Sequence, residues 1–386
     1  MADGLGYATI AAVGEESTVN TPVNATQRVR NLEFTPDAAY ARLVDNTLSG
    51  TVGQVTPELG MLDIRGSWRA YETYTLSNLL PKHFFGSLSA GRYSFLDSLV
   101  GKSLTWAIDK QVSVWNLSGV KINQLNLEFG PEGAMVTGTL IAQGLLYSGG
   151  ENTSAELAAL LPNVDKRCKL APDLNVRLGV ASAALGSPEE IAVSSGKITV
   201  TRPMAETHVS GTRNVYEPAP DNFLTGSVEL VLPRYSTNTY QTWRAANTRL
   251  SLRVYFCEEN GSGTREWLVP NLVLDESTSP VSGAGFIPLT LKGMIAIGQD
   301  KYGPVATISA STTDDSFNDS ANSFPFMYPG STIFVSGMVN AVNNGQHTVV
   351  SRTASKIVVT TNLTTEAAPG AATIISRNPF VQLNEA

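Results

Sequence analysis

The sequence is poor in the side chains that usually carry chemistry. Only 16% of its 386 residues are charged, and it contains three histidines and two cysteines. It also lacks any run that approaches the roughly 18 apolar residues of a membrane-spanning helix. These shortages argue against an enzyme or a metalloprotein, and we expect no membrane segment.

The two cysteines, Cys168 and Cys257, are far apart and show no CxxC spacing. A disulfide framework is therefore not expected, and the cysteine content favours folding in a reducing cytoplasm. Residues Met1-Ala2-Asp3-Gly4 lack the basic and apolar regions of a signal peptide. We expect a soluble protein that is not exported by a standard signal.

Negative charge is in slight excess along the whole chain. Acidic side chains outnumber basic ones by 13 to 10 in residues 1–150, by 16 to 14 in 151–303 and by 5 to 3 in 304–386. No segment has the basic excess that binds a nucleic-acid backbone. This is the balance of an ordinary acidic protein, and a nucleic acid that meets it is expected to pass without being held.

The candidates for metal or phosphate binding fail on spacing. His83, His208 and His347 lie in separate segments, and none stands at metal-ligand spacing from another histidine or a cysteine. We interpret each as a solitary surface or loop residue. Gly101-Lys102-Ser103 resembles the end of a phosphate-binding loop, but Leu96 occupies the position of the required first glycine.

The candidates for acid–base or nucleophilic catalysis are equally weak. Glu15-Glu16, Glu258-Glu259 and Asp314-Asp315 are adjacent carboxylates, which diverge on a strand and are interpreted as solvated charges. The segment 314–319 lacks the spacing of an EF-hand loop, and no motif supports a Cys–His pair. We predict no enzymatic activity, no catalytic, cofactor-binding or metal-binding residue, and no cofactor.

Alternation of apolar and polar residues is the clearest positive signal. It occurs at 104–108, 125–129 and 250–256, between turn-forming residues, and predicts half-buried antiparallel strands. Helical patterns are short and fall at 75–85, 154–161 and 236–246. The tryptophans lie within these predicted strands and helices, so we interpret them as core or subunit-contact residues: Trp68, Trp106, Trp115, Trp243 and Trp267.

The second half of the chain echoes the first. Residues 49–57 (SGTVGQVTP) match residues 210–218 (SGTRNVYEP) at Ser, Gly, Thr and Pro. The same order follows each: a strand opened by Gly-Ser, a short helix, an alternating strand, a strand with one tryptophan and a strand containing Thr-Leu. We interpret the halves as two related β-domains, and two unrelated β-domains with common turn chemistry are the alternative.

Composition divides the chain into three parts. Residues 1–150 are predicted to form a first β-domain, in which 34–65 has no clear period and is either a long loop or a sheet-forming arm that orders against a neighbour. Residues 151–303 hold a connector and a second β-domain. Residues 304–386 predict a small C-terminal β-domain that decorates the outside. Truncation after about Lys301 is therefore expected to leave assembly intact.

Several segments resemble one known family. Residues 10–22 (IAAVGEESTVNTP) are similar to the opening of the tail tube, or major tail, proteins of long-tailed bacteriophages, although Asn20 stands where glycine is more usual. Residues 196–202 (GKITVTR) and 225–228 (TGSV) resemble the second half of such proteins. The likeness covers residues 7–300, and the remainder resembles small β-domains appended to phage structural proteins.

The resemblance implies a mainly-β fold with two tandem tail-tube-type sandwich or barrel domains, each with a short helix, followed by the small C-terminal β-domain. It implies a structural virion protein whose copies form trimeric rings with pseudo-sixfold symmetry. These rings would stack helically into a tail tube that conducts genomic DNA during ejection. The implied partners are further copies and the tape measure, tail-tip or initiator, and terminator proteins. The implied location is the virion tail, after assembly in the host cytoplasm.

Two other functions share this composition. A phage or bacterial surface adhesin that binds host glycan would be rich in strands, Ser and Thr, but would not polymerise. A polysaccharide-degrading enzyme would need paired acidic residues in a cleft. The tail tube is the preferred hypothesis, and the charge balance predicts an acidic inner wall along which DNA passes without tight binding.

Overall fold

A computed structural model of the chain describes residues 9–29, 31–43, 58–74, 79–89, 91–95, 98–131, 133–147, 149–160, 168, 173–258, 264–281 and 285–385. Several positions used above lie outside these residues: the N-terminal 1–8, the echo segment 49–57, the start of the first predicted helix at 75–78, Leu96, Leu161 and Glu259.

Strands dominate the described residues. The first ten are β1 (Ile10–Glu15), β2 (Gln27–Val29), β3 (Asn31–Leu43), β4 (Glu58–Tyr71), β5 (Gly86–Ser89), β6 (Arg92–Phe95), β7 (Leu104–Asp109), β8 (Val114–Gly130), β9 (Gly133–Ala142) and β10 (Gly144–Leu146). The next eight are β11 (Leu174–Val180), β12 (Ser195–Thr201), β13 (Met204–Ala205), β14 (Ala219–Pro220), β15 (Thr225–Leu232), β16 (Leu250–Cys257), β17 (Thr264–Thr278) and β18 (Leu289–Ile295). The last eight are β19 (Gln299–Val305), β20 (Ile308–Ser311), β21 (Ser316–Asp319), β22 (Thr332–Ser336), β23 (Gly345–Arg352), β24 (Lys356–Val359), β25 (Ala372–Arg377) and β26 (Gln382–Glu385). The mainly-β expectation is confirmed, and the strands predicted at 104–108, 125–129 and 250–256 are parts of β7, β8 and β16.

Three short α-helices occur in the described part of the chain: α1 (Leu79–Phe85), α2 (Ser154–Ala159) and α3 (Thr239–Ala245). All three fall within the predicted ranges. A capping box starts α2, because the Thr153 hydroxyl accepts from the Glu156 amide while the Glu156 carboxylate accepts from the Thr153 amide. Helices this short depend on tertiary packing, which explains their few turns.

The chain divides into two compact units. Unit 1 contains Met1–Ala171 and Lys197–Thr225, and unit 2 contains Pro172–Gly196 and Gly226–Ala386. Most of β12 and the hairpin formed by β13 and β14 therefore belong to unit 1, although they follow the first strand of unit 2 in the sequence.

Unit 1 is organised around the long strand β8. Its first part pairs with β7 and its second part with β9, while β7 also pairs with β1 and β9 with β4, all antiparallel. Two irregularities interrupt these ladders. In the β7–β8 ladder, the pairing skips residues 118–119 of β8 between Leu104 and Trp106 of β7. In the β8–β9 ladder, the pairing skips Asn123 of β8. Such bulges sharpen the local twist, and here they accompany the change of partner along β8.

Unit 2 repeats this scheme around β17. The strand pairs first with β16 and then with β18, while β16 also pairs with β11 and β18 with β15. The irregularities recur in the same order: between Leu250 and Leu252 the pairing skips residues 270–271 of β17, and farther along it skips Asp275. Two units that share strand order, partner change and bulge positions follow one scheme, in agreement with the echo in the sequence.

The core of unit 1 contains large aromatic side chains. Trp106 is fully buried and lies between the Phe34 ring, stacked at 4.9 Å, and the Trp68 ring at 5.9 Å. Gly138 lies opposite Trp68 across the β4–β9 ladder, where a Cβ would come within 2.7 Å of the indole. A larger residue at 138 would displace Trp68, so this strand position needs glycine.

Residues 34–65, for which a long loop was one expectation, are strand at both described ends. Up to Leu43 they belong to β3 and from Glu58 to β4, and these strands pair antiparallel from Asn31 opposite Ala70 to Leu43 opposite Glu58. The described parts order against each other within one chain, as a long hairpin, and ordering against a neighbour stays a prediction.

Strands β19 to β25 form a seven-stranded antiparallel arrangement in unit 2, in the order β19-β25-β22-β23-β24-β21-β20. They enclose a separate core that includes Phe317, Ile333 and Ile374. The chain then returns: β26 pairs with β17, and Val381 and Leu383 are fully buried. β26, the last described strand, is therefore part of the β17 ladder.

The ends of this small domain lie side by side. Gln299 is opposite Arg377, and the Asn378 amide donates to the Gly298 carbonyl at 3.1 Å. Residues 299–377 thus form an insertion between two neighbouring points of unit 2. Truncation after Lys301, which was expected to be harmless, would also remove β26 and leave that edge of β17 without a partner.

We predict that the fold tolerates excision of residues 299–377 but not truncation of the chain after Lys301. Paired residues of an antiparallel ladder lie roughly 5 Å apart, a gap that a two-residue Asn-Gly turn can close. A variant with Asn-Gly in place of 299–377 should elute as the native chain does in size-exclusion chromatography and melt cooperatively. A chain that ends at Lys301 should aggregate or melt at lower temperature, because an unpaired edge strand invites association. Equal behaviour of the two variants would show that β26 does not support the sheet.

Candidate functional site

Two of the three histidines are not the solitary surface or loop residues that were expected, and the third, His208, is half-exposed between named strands but has a charged partner. His83 is buried in α1, 3.5 Å from the Glu15 carboxylate. His347 is buried in β23, with its ring 5.3 Å from the ring of Phe317. His208 lies 3.1 Å from Asp63. A lone histidine gives no signal in the sequence of these tertiary neighbours.

Glu16 is also not the solvated charge that was expected. It is buried, and its two carboxylate oxygens accept hydrogen bonds from the Ser103 hydroxyl at 2.5 Å, the Thr105 hydroxyl at 2.9 Å, the Gly119 amide at 2.9 Å and the Asn20 amide at 2.8 Å. A buried carboxylate with this many donors is fully satisfied. It fastens the segment after β1 to β7 and β8, so its role is structural.

The remaining candidates also have structural partners. The Gly101 amide donates to the Glu217 carboxylate and the Lys102 ammonium to the Gly86 carbonyl, so this loop does not present a phosphate site. Cys168 and Cys257 are not joined by a disulfide. No group of three or more His, Cys, Asp or Glu in the described residues could hold a metal ion. In the same part of the chain, no helix has the length and apolar character to cross a membrane.

The tryptophans divide into two classes. Trp68, Trp106 and Trp267 are core residues. Trp115 is half-exposed, with the Lys110 ammonium 3.2 Å from its ring centre, and Trp243 is half-exposed on α3. The first three fit the core role that was expected.

The most distinctive surface of unit 1 is a polar sheet face spanning β3, β4, β9, β8 and β12. Hydroxyls and amides bridge neighbouring strands there: Thr35 with Ser67 at 2.6 Å, Thr139 with Asn123 at 2.7 Å and Asn126 with Thr137 at 2.9 Å. A shallow cavity of about 330 Å³ lies on this face. Its charges are mostly matched, as in the Lys197–Glu128 pair at 2.8 Å.

The corresponding face of unit 2 is more acidic. Glu229 of β15 and Glu276 of β17 both lie opposite Lys292 of β18, and Lys292 approaches Glu276 to 3.2 Å. The exposed Asp275 adds a further negative charge. One cation thus faces three carboxylates, which makes this face a poor surface for binding phosphates.

Two arms lie together within unit 1. The first arm is the hairpin of β3 and β4, and the second arm is the segment 203–221 that contains β13 and β14. Three polar contacts join them: the Leu62 amide to the Arg213 carbonyl at 2.8 Å, Arg65 to Glu206 at 3.0 Å and His208 to Asp63 at 3.1 Å. A pairing between the arms therefore exists within one chain.

A buried ion pair holds the second arm to the sheet. The Lys121 ammonium on β8 lies 2.6 Å from the Glu217 carboxylate and donates to the Leu99 carbonyl at 2.8 Å. Burial lowers the pKa of Lys121, and the hydrogen bond and charge of Glu217 oppose this shift. Lys121 carries no motif in the sequence, and only the echo segment at 210–218, which contains Glu217, pointed to this region.

Exposed apolar side chains stand on both arms. The first arm exposes Tyr40, Leu59 and Met61, and the second arm exposes Val209 and Tyr216. Phe223, just after the second arm, is 87% exposed. Apolar side chains grouped in this way mark a surface for contact with another molecule.

Two strand edges remain open in the described ladders. β3 pairs along its length with β4, and its other edge takes part in no described ladder. The last part of β17, from Asp275 to Thr278, pairs with β18, and the β16 ladder ends before it at Leu272. The stretch Ala38-Ala39-Tyr40-Ala41 of β3 carries no charge, so it lacks a common protection against edge-to-edge pairing.

No protein-family model matches the chain, and no curated protein matches its sequence. The function must therefore be argued from these edges, faces and arms.

Acid should destabilise unit 1 through His83. Burial lowers the pKa of His83 from 6.5 to about 4, although the nearby Glu15 carboxylate opposes this shift. Between these values the unfolded chain binds a proton that the folded chain does not. The free energy of unfolding should therefore fall as the pH drops from about 6.5 to about 4, by up to roughly 3 kcal/mol.

The measurement is urea unfolding across this pH range for the native chain and for H83Q, with H208Q as the control. H83Q should flatten the pH dependence, and H208Q should keep more of it than H83Q does. If H83Q and the native chain lose stability in parallel, His83 is not the group that titrates.

Proposed function

We propose that this chain is a structural subunit of the tail tube of a long-tailed bacteriophage, and that three copies close each ring. One observation carries the proposal. Within a single chain, β12 occupies the edge of β8 that corresponds to the open edge of β17. A repeat of this contact between copies would join them head to tail.

The contact inside the chain has a defined register. The Arg202 amide donates to the Asn123 carbonyl at 2.8 Å, and Lys197 pairs with Glu128 at 2.8 Å. The residue number rises along β12 as it falls along β8, so the two strands run antiparallel. Thr199 then lies opposite Asn126.

Because the two units follow one scheme, the register of β12 on β8 can be carried over to the open edges of β3 and β17. The bulges align Asn123 with Asp275, which places Thr278 at the position of Asn126. The alignment of Gly66-Ser67 with Gly226-Ser227 places Ala39 at the position of Thr199. β3 also precedes β4 as β12 precedes β15, so β3 of a second copy can pair with β17 around Ala39 and Thr278.

Such a contact is heterologous, because two different surfaces meet. A heterologous contact forms a ring if its rotation closes and an open filament if it does not. Each copy contributes two similar units, so three copies give a ring with six similar positions. Closure would also remove the open edges, which supports this arrangement over a soluble monomer.

Stacking of the rings is assigned to the arms. Their exposed Tyr40, Met61 and Tyr216 offer apolar area that a neighbouring ring can cover. The polar sheet faces are assigned to the inner wall. Matched charges in unit 1 and excess carboxylates in unit 2 would let DNA pass without a continuous row of phosphate contacts.

Cysteine crosslinking tests the ring directly. Ala39 and Thr278 are both exposed, so A39C together with T278C in a C257S background should form disulfides between copies under mild oxidation. The denaturing gel ladder should stop at three chains, because a closed ring of three has no fourth member. A38C with T278C is the matched control, since neighbouring side chains point to opposite faces of a strand.

The crosslinking outcomes separate the parts of the proposal. A ladder that stops at six chains would contradict the use of two units per chain as two ring positions. Equal crosslinking of the A38C and A39C variants would contradict the register. Absence of crosslinked species at every protein concentration would contradict self-assembly through these edges.

The inner-wall assignment predicts weak contact with DNA. Assembled native protein should not retard duplex DNA in a gel-shift assay at low salt. E229K with E276K, placed beside Lys292, should create a basic patch whose DNA binding weakens steeply as salt rises. E190K with D221K, which changes the net charge equally at other exposed sites, should bind less. Tight, salt-sensitive binding by the native protein would contradict the conduit role.

A further inference from the structure

Unit 2 contains a cleft that is separate from the sheet faces, arms and strand edges described above. Its volume is about 450 Å³, within the range of roughly 300–1,000 Å³ that is usual for small-molecule sites. One wall comes from the turn after β11 and the start of β16, and the other from the inserted small domain. The residues that matter for recognition are Ser182, Thr248, Arg249, Asp300, Phe326 and Arg352.

The two guanidinium groups of this cleft differ in their partners. Arg249 forms an ion pair with Asp300. Arg352 donates to the Phe324 carbonyl and has no carboxylate partner among the described residues. Burial lowers the pKa of Arg352, which indicates that its charge is only partly solvated. The cleft therefore holds one positive charge that is not balanced, in a chain of net charge −7.

An aromatic ring and hydroxyl groups complete the cleft. The Arg352 guanidinium carbon lies 5.7 Å from the ring centre of Phe326, and Tyr328 braces that ring edge-on at 4.9 Å. Ser182 and Thr248, which carry hydroxyl groups, line the wall formed by the turn after β11 and the segment before β16. Two guanidinium groups, one carboxylate, the Phe326 ring and two hydroxyl-bearing residues thus line the same space.

We propose that this cleft binds a sugar that carries a carboxylate. A guanidinium matches a carboxylate with two parallel hydrogen bonds, so the acid group of the sugar would pair with Arg352. The sugar hydroxyls would donate to Asp300 and exchange hydrogen bonds with Ser182 and Thr248. The apolar face of the ring would pack on Phe326.

Other small ligands fit the cleft less well. A neutral sugar would leave the Arg352 charge without a partner. A simple anion such as phosphate would meet the Asp300 carboxylate and would not use Phe326. The inference concerns a single chain and holds with or without the tube, so the two proposals can fail separately.

The test is a titration of the intact chain with glucuronic acid, galacturonic acid and N-acetylneuraminic acid, in which binding is measured by ligand-observed NMR. At least one acid sugar should bind saturably, and glucose should bind roughly ten- to a hundredfold more weakly, as expected for loss of a charge-assisted hydrogen bond. Acetate and inorganic phosphate should not displace the sugar at equal concentration. Absence of saturable binding to all three acid sugars, or equal binding of acetate, would overturn the proposal.

Variants locate the site. R352Q should weaken acid-sugar binding roughly ten- to a hundredfold, as expected for loss of a charge-assisted hydrogen bond. R377Q, which removes an exposed arginine of β25, should leave this binding unchanged. F326A should weaken binding, and F334A, at an exposed phenylalanine of β22, should leave it unchanged. Because Arg352 also donates to the Phe324 carbonyl, T248W provides a second test that fills the cleft and keeps both arginines. Native affinity in both R352Q and T248W would overturn the assignment to this cleft.

Discussion

A strand that changes partners midway leaves part of one edge without a ladder, and both long strands of this protein do so. β8 passes from β7 to β9 and β17 passes from β16 to β18, with bulges at equivalent positions. Backbone amides and carbonyls on such an edge need partners. β12 supplies them for β8 within the chain. The corresponding need of β17 is the physical origin of the assembly that we propose.

The second arm shows how polar contacts select one arrangement among several. Burying the Lys121 ammonium and the Glu217 carboxylate costs several kcal/mol per ion, which their pairing and added hydrogen bonds must offset. An apolar pair would also stabilise this site, but it would accept many registers. Glu16 acts in the same way after β1, because each of its four donors fixes one position. The main effect of these contacts is to fix one arrangement of the chain, and their contribution to the free energy of unfolding is secondary.

The candidate surfaces were only partly visible in the sequence. Alternation found β16 because one of its faces is more deeply buried, and it found β7 although all six residues of that strand are buried. The echo found the repeat because both copies keep the same turn-forming residues. The outer halves of β3 and β4 gave no clear period because they extend beyond the core and expose consecutive residues such as Ala39 and Tyr40, whose side chains point to opposite faces. His83 and His347 were misjudged because burial of a single polar residue leaves no local pattern.

The sequence by itself determined the mainly-β class, the positions of three short helices and the duplicated order of strands, since these depend on periodicity and turn chemistry within short windows. Only the tertiary structure decided that 203–221 joins unit 1, that 299–377 is an insertion closed by β26, and that Arg352 faces a cleft beside Arg249. Each of these facts depends on contacts between residues far apart in the chain. Local propensity carries no information about such contacts, because they are set by which edges and charges remain unpaired when the sheets form.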